Sequence, residues 1–584
     1  MERDVLDTIK GKRFADVVVK NGSFINVASG EVYDGGVAIT GKYVVGIDNL
    51  DSYIGPKTKI IDAEGKYITP GFIDGHIHPE SSNLSIKRFA EAILKHGTTT
   101  IMTDIHEIGV VSDLEGIEAV LDEGKQTDLN IYFVVPSHIP FAPNLETSKG
   151  QFNSDVIKKA LERDDAVGLS EVVSAYLTAG FPDLEKSMEQ TLKNRQTCQG
   201  HMPETTGRDL DYCIASGVTT NHECLSTEES LEHVRKGCHL MMREGSAARS
   251  LNDSVKVITE YNCDSTMCSI VTDDLHTIDL VDRGDLDDAL RSAVKAGVDI
   301  VTAIQLVTIN AARAFHLERE VGALIPGARG DVLLLDKDSL EVVQTIAGGE
   351  VVYIKDEFEV KYKDTVHASC LLNTVKLPKF KKEDLAIHVD KSATSVDVLG
   401  MRTLDWIPIT IPQKGTLAVK DGIIQCDVEQ DLLYIAQMER YGINGNIGKG
   451  FIAGFNLKSG AIASSIAHDN HNVIVIGTNL EDMEIAFNHI QEINGGQCVV
   501  DKGEVLSSVA FPICGLMSDL SAEELATAKK VMIAKTHELG SKIPIPFLFL
   551  SFIGLAAIPS FAITDKGFID VEKQKIIDPV LEVR

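Results

Sequence analysis

The sequence predicts an α/β protein: a (β/α)8 TIM-like barrel with a discontinuous small β-sandwich domain and a C-terminal α/β domain. Three observations predict it. From about residue 68 to 319, apolar strand-like runs alternate with amphipathic helical stretches, and repeated βα units over ~250 residues have the size and rhythm of a parallel barrel. On either side, in residues 1–67 and 320–375, short β-rich runs cut by turn dipeptides share one texture and are expected to form a single small domain. After a Lys-rich stretch, 376–384, residues 385–584 mix strands with helices and are expected to fold separately. A doubly wound sheet competes with the barrel, but no G-x-G-x-x-G follows any predicted strand.

The elements follow in order. In the first β segment the runs are 15–19, 36–40 and 43–46, separated by Asn21-Gly22, Asp34-Gly35-Gly36 and Gly41-Lys42. The same texture returns at 322–327, 331–336 and 351–354. Between these segments, strands are expected at 98–103, 131–136, 166–170, 218–221 and 269–272. Helices are expected at 86–96, 114–121, 153–161, 184–194, 227–236 and 286–296. In the C-terminal region a strand at 472–477 precedes helices at 480–493 and 522–538.

At 584 residues the chain is too long for one core and calls for two or three domains. Hydrophobic residues at 44% and charged residues at 24% are ordinary for a globular protein, so large disordered regions are not expected. The formal charge is 56 − 86 = −30, which disfavours nucleic acid and anionic membrane as partners. A small neutral or cationic substrate fits better. The ten cysteines are scattered without a C-x-x-C pair, which argues against a zinc ribbon and suits a reducing cytoplasm. The N-terminal MERDVLDTIKGKRF has no apolar core and does not read as a secretory signal. Residues 543–564 carry no charge and are long enough to span a bilayer. Pro544, Pro546 and Pro559 interrupt them, however, so a buried strand-and-turn segment is expected instead.

Chemistry concentrates at ITPGFIDGHIHPE, residues 68–80. On a strand, side chains at i and i+2 share a face, so His76 and His78 project together, as two imidazoles must to hold one metal. Two strand histidines bonded to backbone or carboxylates would give the same spacing. Further down the chain, Glu171, His201, His222 and Asp273 each fall at or just beyond the predicted end of a barrel strand, where parallel barrels carry their active sites. Each alone could be a satisfied core histidine or a surface carboxylate. Together they give four histidines and two carboxylates, enough for two metals sharing a carboxylate.

The chain resembles the amidohydrolase superfamily and, within it, the adenine deaminases. The motifs that carry the resemblance are GFIDGHIHPESSNL (71–84), HGTTTIMTDIHEIG (96–109), GLSEVV (168–173), GHMPE (200–204), NHECLSTEE (221–229), REGSAAR (243–249) and TDDLHTIDL (272–280). GFNLKSGAIASSIAHDNHNVIVIGTN (454–479) and GLMSDL (515–520) belong to adenine deaminases in particular. The resemblance implies His76, His78, Glu171, His201, His222 and Asp273 as metal residues, holding two divalent ions (manganese, iron or zinc). Glu171 would be the shared anion. Relatives that use a carboxylated lysine there differ, since no lysine lies between Lys159 and Lys186.

The implied reaction is hydrolytic deamination of adenine to hypoxanthine and ammonia by a metal-activated hydroxide, in purine salvage. Asp273 would move the proton, with Glu171 and His222 also catalytic. Asp104, His106 and Glu107 in TDIHE are expected to contact substrate, assist proton transfer or bind a further metal, or else to form a polar loop held by its own hydrogen bonds; Arg243, Glu244 and Ser246 in REGS are expected to contact substrate. His468 and His471 are expected to serve C-terminal packing, with closure over the pocket as the alternative. A homodimer is implied at the family level. The chain departs from the family pattern at VVSAYL after Glu171, at His138 within 136–150, and at 454–459. Those departures leave open another aminated heterocycle or cyclic amide as substrate, or a non-catalytic paralogue.

Overall fold

The alternating apolar and amphipathic stretches resolve into eight parallel strands: Phe72–Asp74, Thr98–Thr103, Asn130–Pro136, Ala166–Val173, Thr197–His201, Val218–Asn221, His239–Arg243 and Cys268–Val271. In this computed structural model, which describes residues 2–246, 249–364, 366–404, 407–557 and 560–584, each strand pairs with the next in chain order. Beyond the ends of the first and eighth strands the ring closes. Ile77 pairs in parallel with Asp273, His78 N donates to Asp273 O at 3.1 Å, and Asp273 N donates to His76 O at 3.0 Å. The closing seam is therefore made from predicted metal residues. All of Thr98–Thr103 and Cys268–Val271 are buried, as strands covered on both faces must be.

The surrounding helices follow from amphipathic spacing. Leu286–Lys295 buries Leu286, Ala289, Leu290 and Ala293, an i, i+3, i+4, i+7 stripe. Asp299 opens the next helix, Ile300–Leu306, by accepting from Val301 N and Thr302 N. The helix expected at 114–121 is longer, His106–Gly124, and kinks at Asp113, whose φ of 62° cannot continue a right-handed helix.

The chain divides into two compact units. One is Met1–Ile105, Val120–Ser137 and Ser154–Thr365; the other is His106–Ala119, His138–Asn153 and Val366–Arg584. The first unit holds the barrel and a nine-stranded sheet built from both flanking segments. The chain leaves that sheet through Tyr67–Pro70 and returns through Val332–Leu335, which pair antiparallel from Pro70↔Val332 to Tyr67↔Leu335. Gly71 joins sheet to barrel. A Cβ there would lie 2.1 Å from Thr99 Oγ1, so no side chain can pass.

The second unit contains a ten-stranded sheet whose strands lie within residues 395–583. The helix Leu480–Glu492 contributes Met483, Phe487 and Ile490 to the core, among Val396, Phe451, Val475 and Cys498. A three-stranded sheet, Phe561–Thr564, Gly567–Asp570 and Lys575–Ile577, belongs to the same unit. Most of the described residues of the uncharged stretch 543–564 are buried, but it departs from the strand-and-turn expectation. Its first part is a helix, Pro546–Phe552, with Pro546 in the first turn, where a missing N–H costs nothing. The strand Phe561–Thr564 follows, and Pro559 lies outside the described residues. Among the described residues no helix is long and apolar enough to cross a membrane.

Candidate active site

Five strand ends of the barrel deliver the predicted metal residues to one point. Glu171 Oε1 lies 3.5 Å from His76 Nε2, 3.8 Å from His78 Nε2, 3.7 Å from His201 Nδ1 and 3.6 Å from His222 Nε2. Asp273 Oδ1 lies 3.5 Å from His76 Nε2 and 3.3 Å from His78 Nε2. The His76 and His222 rings stack with centroids 3.9 Å apart. His76, His78 and Asp273 form one group able to hold an ion; His76, Glu171 and His222 form a second; His201, His222 and Glu223 form a third.

Local backbone geometry aims the two carboxylates. Glu171 has φ 51° and Asp273 φ 59°, left-handed conformations that non-glycine residues rarely adopt. At Glu171 the fourth strand bulges: Leu169 pairs with Cys198, but Val172 pairs with Gly200. The extra residue turns Glu171 towards the imidazoles. The strand thus runs on to Val173, past the expected end at 170.

Charge explains what the site needs. Burial opposes charge on His76, yet the Asp273 and Glu171 carboxylates raise its pKa to about 10. Burial likewise opposes charge on His201, while Glu171 and Glu223 raise it to about 9. Burial and the neighbouring His76 push His222 down. Against burial, His201 holds Glu171 and Arg243 holds Asp273 well below the usual carboxylate range. Two buried anions thus demand positive charge. His76 Nε2 and both ring nitrogens of His222 are buried with no hydrogen bond among the described residues. Buried donors and acceptors left this way are costly unless something ligates them. The donor set fits divalent ions of the zinc, manganese or iron(II) class.

Supporting groups surround these residues. Asp104, after the second strand, receives His78 Nδ1 at 3.1 Å on Oδ1 and Ser170 Oγ at 2.9 Å on Oδ2. Arg243, at the end of the seventh strand, donates to Asp273 Oδ2 and, at 2.8 Å, to Glu223 Oε1. Glu223 was not anticipated from the sequence. Its Oε1 lies 3.2 Å from His222 Nε2 and 3.6 Å from His201 Nδ1. The signal for it was Asn221, whose Oδ1 accepts from Glu223 N at 3.3 Å and from Met202 N at 3.1 Å. This Asx-type turn lets consecutive residues face the same centre.

The remaining expected residues have other neighbours. Glu244 pairs with Arg249, whose Nε donates to its Oε1 at 2.8 Å. Ser246 is tied to the loop after the eighth strand: its N donates to Asp274 O at 2.7 Å, and its Oγ accepts from His276 N at 2.9 Å. Between them, a Cβ on Gly245 would lie 2.0 Å from Thr272 O, which sets the closeness of the two loops. Within the second unit, His106 and His138 flank Phe141, with ring centroids 6.1 Å and 4.9 Å away. Glu107 meets His468 and His471 in that unit, forming a further group able to hold an ion.

Residues 67–360 match the amidohydrolase family. The chain belongs to that family. Residues 408–575 match the adenine deaminase C-terminal domain, which places this amidohydrolase among the adenine deaminases. "Adenine deaminase 1" of Latilactobacillus sakei subsp. sakei (strain 23K) is 34% identical over 585 residues, covering 100% of this chain and 98% of that protein. "Adenine deaminase" of Methanococcoides burtonii is 36% identical over 589 residues, covering 100% and 98%. "Adenine deaminase" of Dehalococcoides mccartyi is 36% identical over 578 residues, covering 98% of each. Amidohydrolases are metal-dependent, in keeping with the ligand groups at the barrel mouth.

Proposed function

We propose that this amidohydrolase converts adenine and water into hypoxanthine and ammonia. The observation that carries the reading is one Glu171 oxygen within 3.8 Å of four imidazole nitrogens, with Asp273 beside them. Adenine as the substrate is supported by the C-terminal domain match and by the full-length relatives.

In this reading His76, His78, Glu171, His201, His222 and Asp273 would hold two divalent ions, with Glu171 as the anion common to both groups. When bound, such a pair of manganese, iron or zinc ions supplies hydroxide at neutral pH. The protein's own residues do the rest. Glu171, turned inward by its left-handed backbone, fixes the centre of the site. Asp104 accepts from His78 Nδ1 and so leaves Nε2 as the ligand atom. As the new C–O bond forms at the amino-bearing ring carbon, the C=N electron pair moves onto the adjacent ring nitrogen, which takes up one proton of the attacking water; Asp273 takes the other and passes it to the departing amine. The C–N bond then breaks and ammonia leaves. Arg243 keeps Asp273 anionic between these transfers and neutralises Glu223, serving substrate turnover through those carboxylates.

The deciding experiment mixes manganese-loaded enzyme with adenine and follows ammonia and hypoxanthine together. Stoichiometric formation of both, lost on chelation, is the expected result. No turnover of adenine by fully metallated enzyme would discard adenine and send the search to other aminated heterocycles.

A further inference from the structure

The C-terminal unit carries a second histidine–carboxylate cluster that the deamination chemistry does not use. Glu107 stands in the first turn of the helix His106–Gly124, while His468 and His471 come from a loop 361 residues away in the chain. Their ligand atoms lie within 4.8 Å of one another. His468 Nδ1 is 3.0 Å from Glu107 Oε1, and His471 Nε2 faces Glu107 Oε2. Glu107 and His471 are buried, and the His468 side chain is 12% exposed.

We propose that Glu107, His468 and His471 hold a further divalent transition-metal ion, in addition to those of the barrel. An ordinary ion pair needs one histidine; here two converge on one carboxylate. Glu107 Oε2 is already taken up by His471 Nε2 and Oε1 by His468 Nδ1, yet among the described residues the buried Nδ1 of His471 has no hydrogen bond. Buried groups left in that state call for a ligand.

The loop is fixed around them. Asn470 Oδ1 accepts from Gln437 Nε2 at 2.9 Å, and its Nδ2 donates to Gly554 O at 3.0 Å. Asn472 Nδ2 donates to Thr147 O at 3.0 Å. Between these two anchors His471 is held at φ 48°, a left-handed conformation that surrounding structure must impose. Such anchoring of the residues flanking a ligand is how proteins pre-set a metal site. Two imidazoles with one carboxylate suit zinc, manganese or iron(II); calcium and magnesium prefer all-oxygen sets.

The test uses full-length enzyme, stripped with chelator and reloaded with Zn2+. Wild-type protein is expected to retain one equivalent more per chain than His471→Gln or Glu107→Gln, measured by elemental analysis after gel filtration. Crystals of the zinc-loaded wild type, recorded on both sides of the zinc absorption edge, are expected to show an anomalous peak between Glu107 and His471. Barrel ions without a peak at Glu107 would overturn the proposal, as would equal zinc content in wild type and folded variants. The crystal measurement decides alone should both variants fail to fold.

Discussion

The two histidine–carboxylate clusters are built differently. At the barrel mouth, the six proposed ligand residues and Glu223 stand on strand ends or the turns just after them, and outside groups fix their orientation: Asp104 holds His78, and Arg243 holds Asp273 and Glu223. In the C-terminal unit, three residues meet from a helix start and a loop, with support from the side chains of Asn470 and Asn472 on either side of His471. The electrostatics diverge as well. Carboxylates raise His76 to about 10, whereas burial and the neighbouring His468 and Arg440 push His471 well below its ordinary value. The comparison teaches that ligand types alone do not define an active site. What sets the barrel cluster apart is excess anionic charge, a proposed proton carrier in Asp273 and a supporting shell, and each can be broken separately.

Removing the proton carrier should have the largest effect. Asp273→Asn keeps the shape and an oxygen towards His76 and His78, but cannot accept and release a proton. Turnover is expected to fall ~10³–10⁴-fold, with metal content at the barrel largely retained by elemental analysis. Undiminished kcat in the metallated variant would remove Asp273 from the proposed role.

Proton competition comes next. Without metal, His76 titrates at about 10 and His201 at about 9, so at pH 7 both are protonated and must lose a proton to ligate. Metal affinity at the barrel should therefore rise with pH from 7 to 9, about tenfold per unit for each proton displaced. A chelator-competition titration across that range checks the slope; a flat profile would contradict the charge balance derived for the site.

The shell around the ligands should matter less than the ligands. Asp104→Asn leaves His78 in place but weakens the acceptor that fixes its tautomer, with an expected ~10–100-fold loss in metal affinity or activity. Saturating metal should recover much of the lost rate. If the loss persisted unchanged at saturation, Asp104 would instead be acting on the substrate, the role the TDIHE motif first suggested.

These residues also mark what the sequence could reveal. His76 and His78 were expected on a strand face, but the first strand ends at Asp74 and they stand in the bend beyond it, flanking the bridge of Ile77 to Asp273; the other four were expected at strand ends, where barrels carry chemistry. The bulge at Glu171 was not legible: its direction depends on register against the fifth strand, a tertiary fact. Glu223 was hidden because consecutive residues normally diverge, and only the Asn221 turn brings it round. Glu107 with His468 and His471 is a meeting of segments that no spacing rule connects. The helix Pro546–Phe552 was misjudged as strand because a short apolar run has no period to separate the two.

The smallest expected effects compare the two units through their helix caps. Asp299 accepts from Val301 N at 3.1 Å and Thr302 N at 3.0 Å in the barrel unit. Ser521 accepts from Glu524 N at 3.2 Å in the C-terminal unit, and Glu524 returns a bond to Ser521 N at 3.0 Å. Replacing either by Ala should cost ~1 kcal/mol at pH 7, because one or two first-turn N–H groups lose their acceptor. The pH dependence should separate them. Burial tends to raise the Asp299 pKa, but the bonds from Thr302 and Val301 outweigh it and hold the folded-state value below 3.8. A depressed carboxylate contributes its full stability above the unfolded pKa and loses it as pH falls through the folded one. The Asp299→Ala deficit should therefore shrink once the pH drops below 3.8, whereas the hydroxyl of Ser521 does not titrate and its deficit should persist. Amide exchange along Ile300–Leu306 and Ala522–Glu538, at neutral and acid pH, reads both in one sample. Equal behaviour of the two variants on acidification would mean that the Asp299 cap works through its shape alone, without its charge.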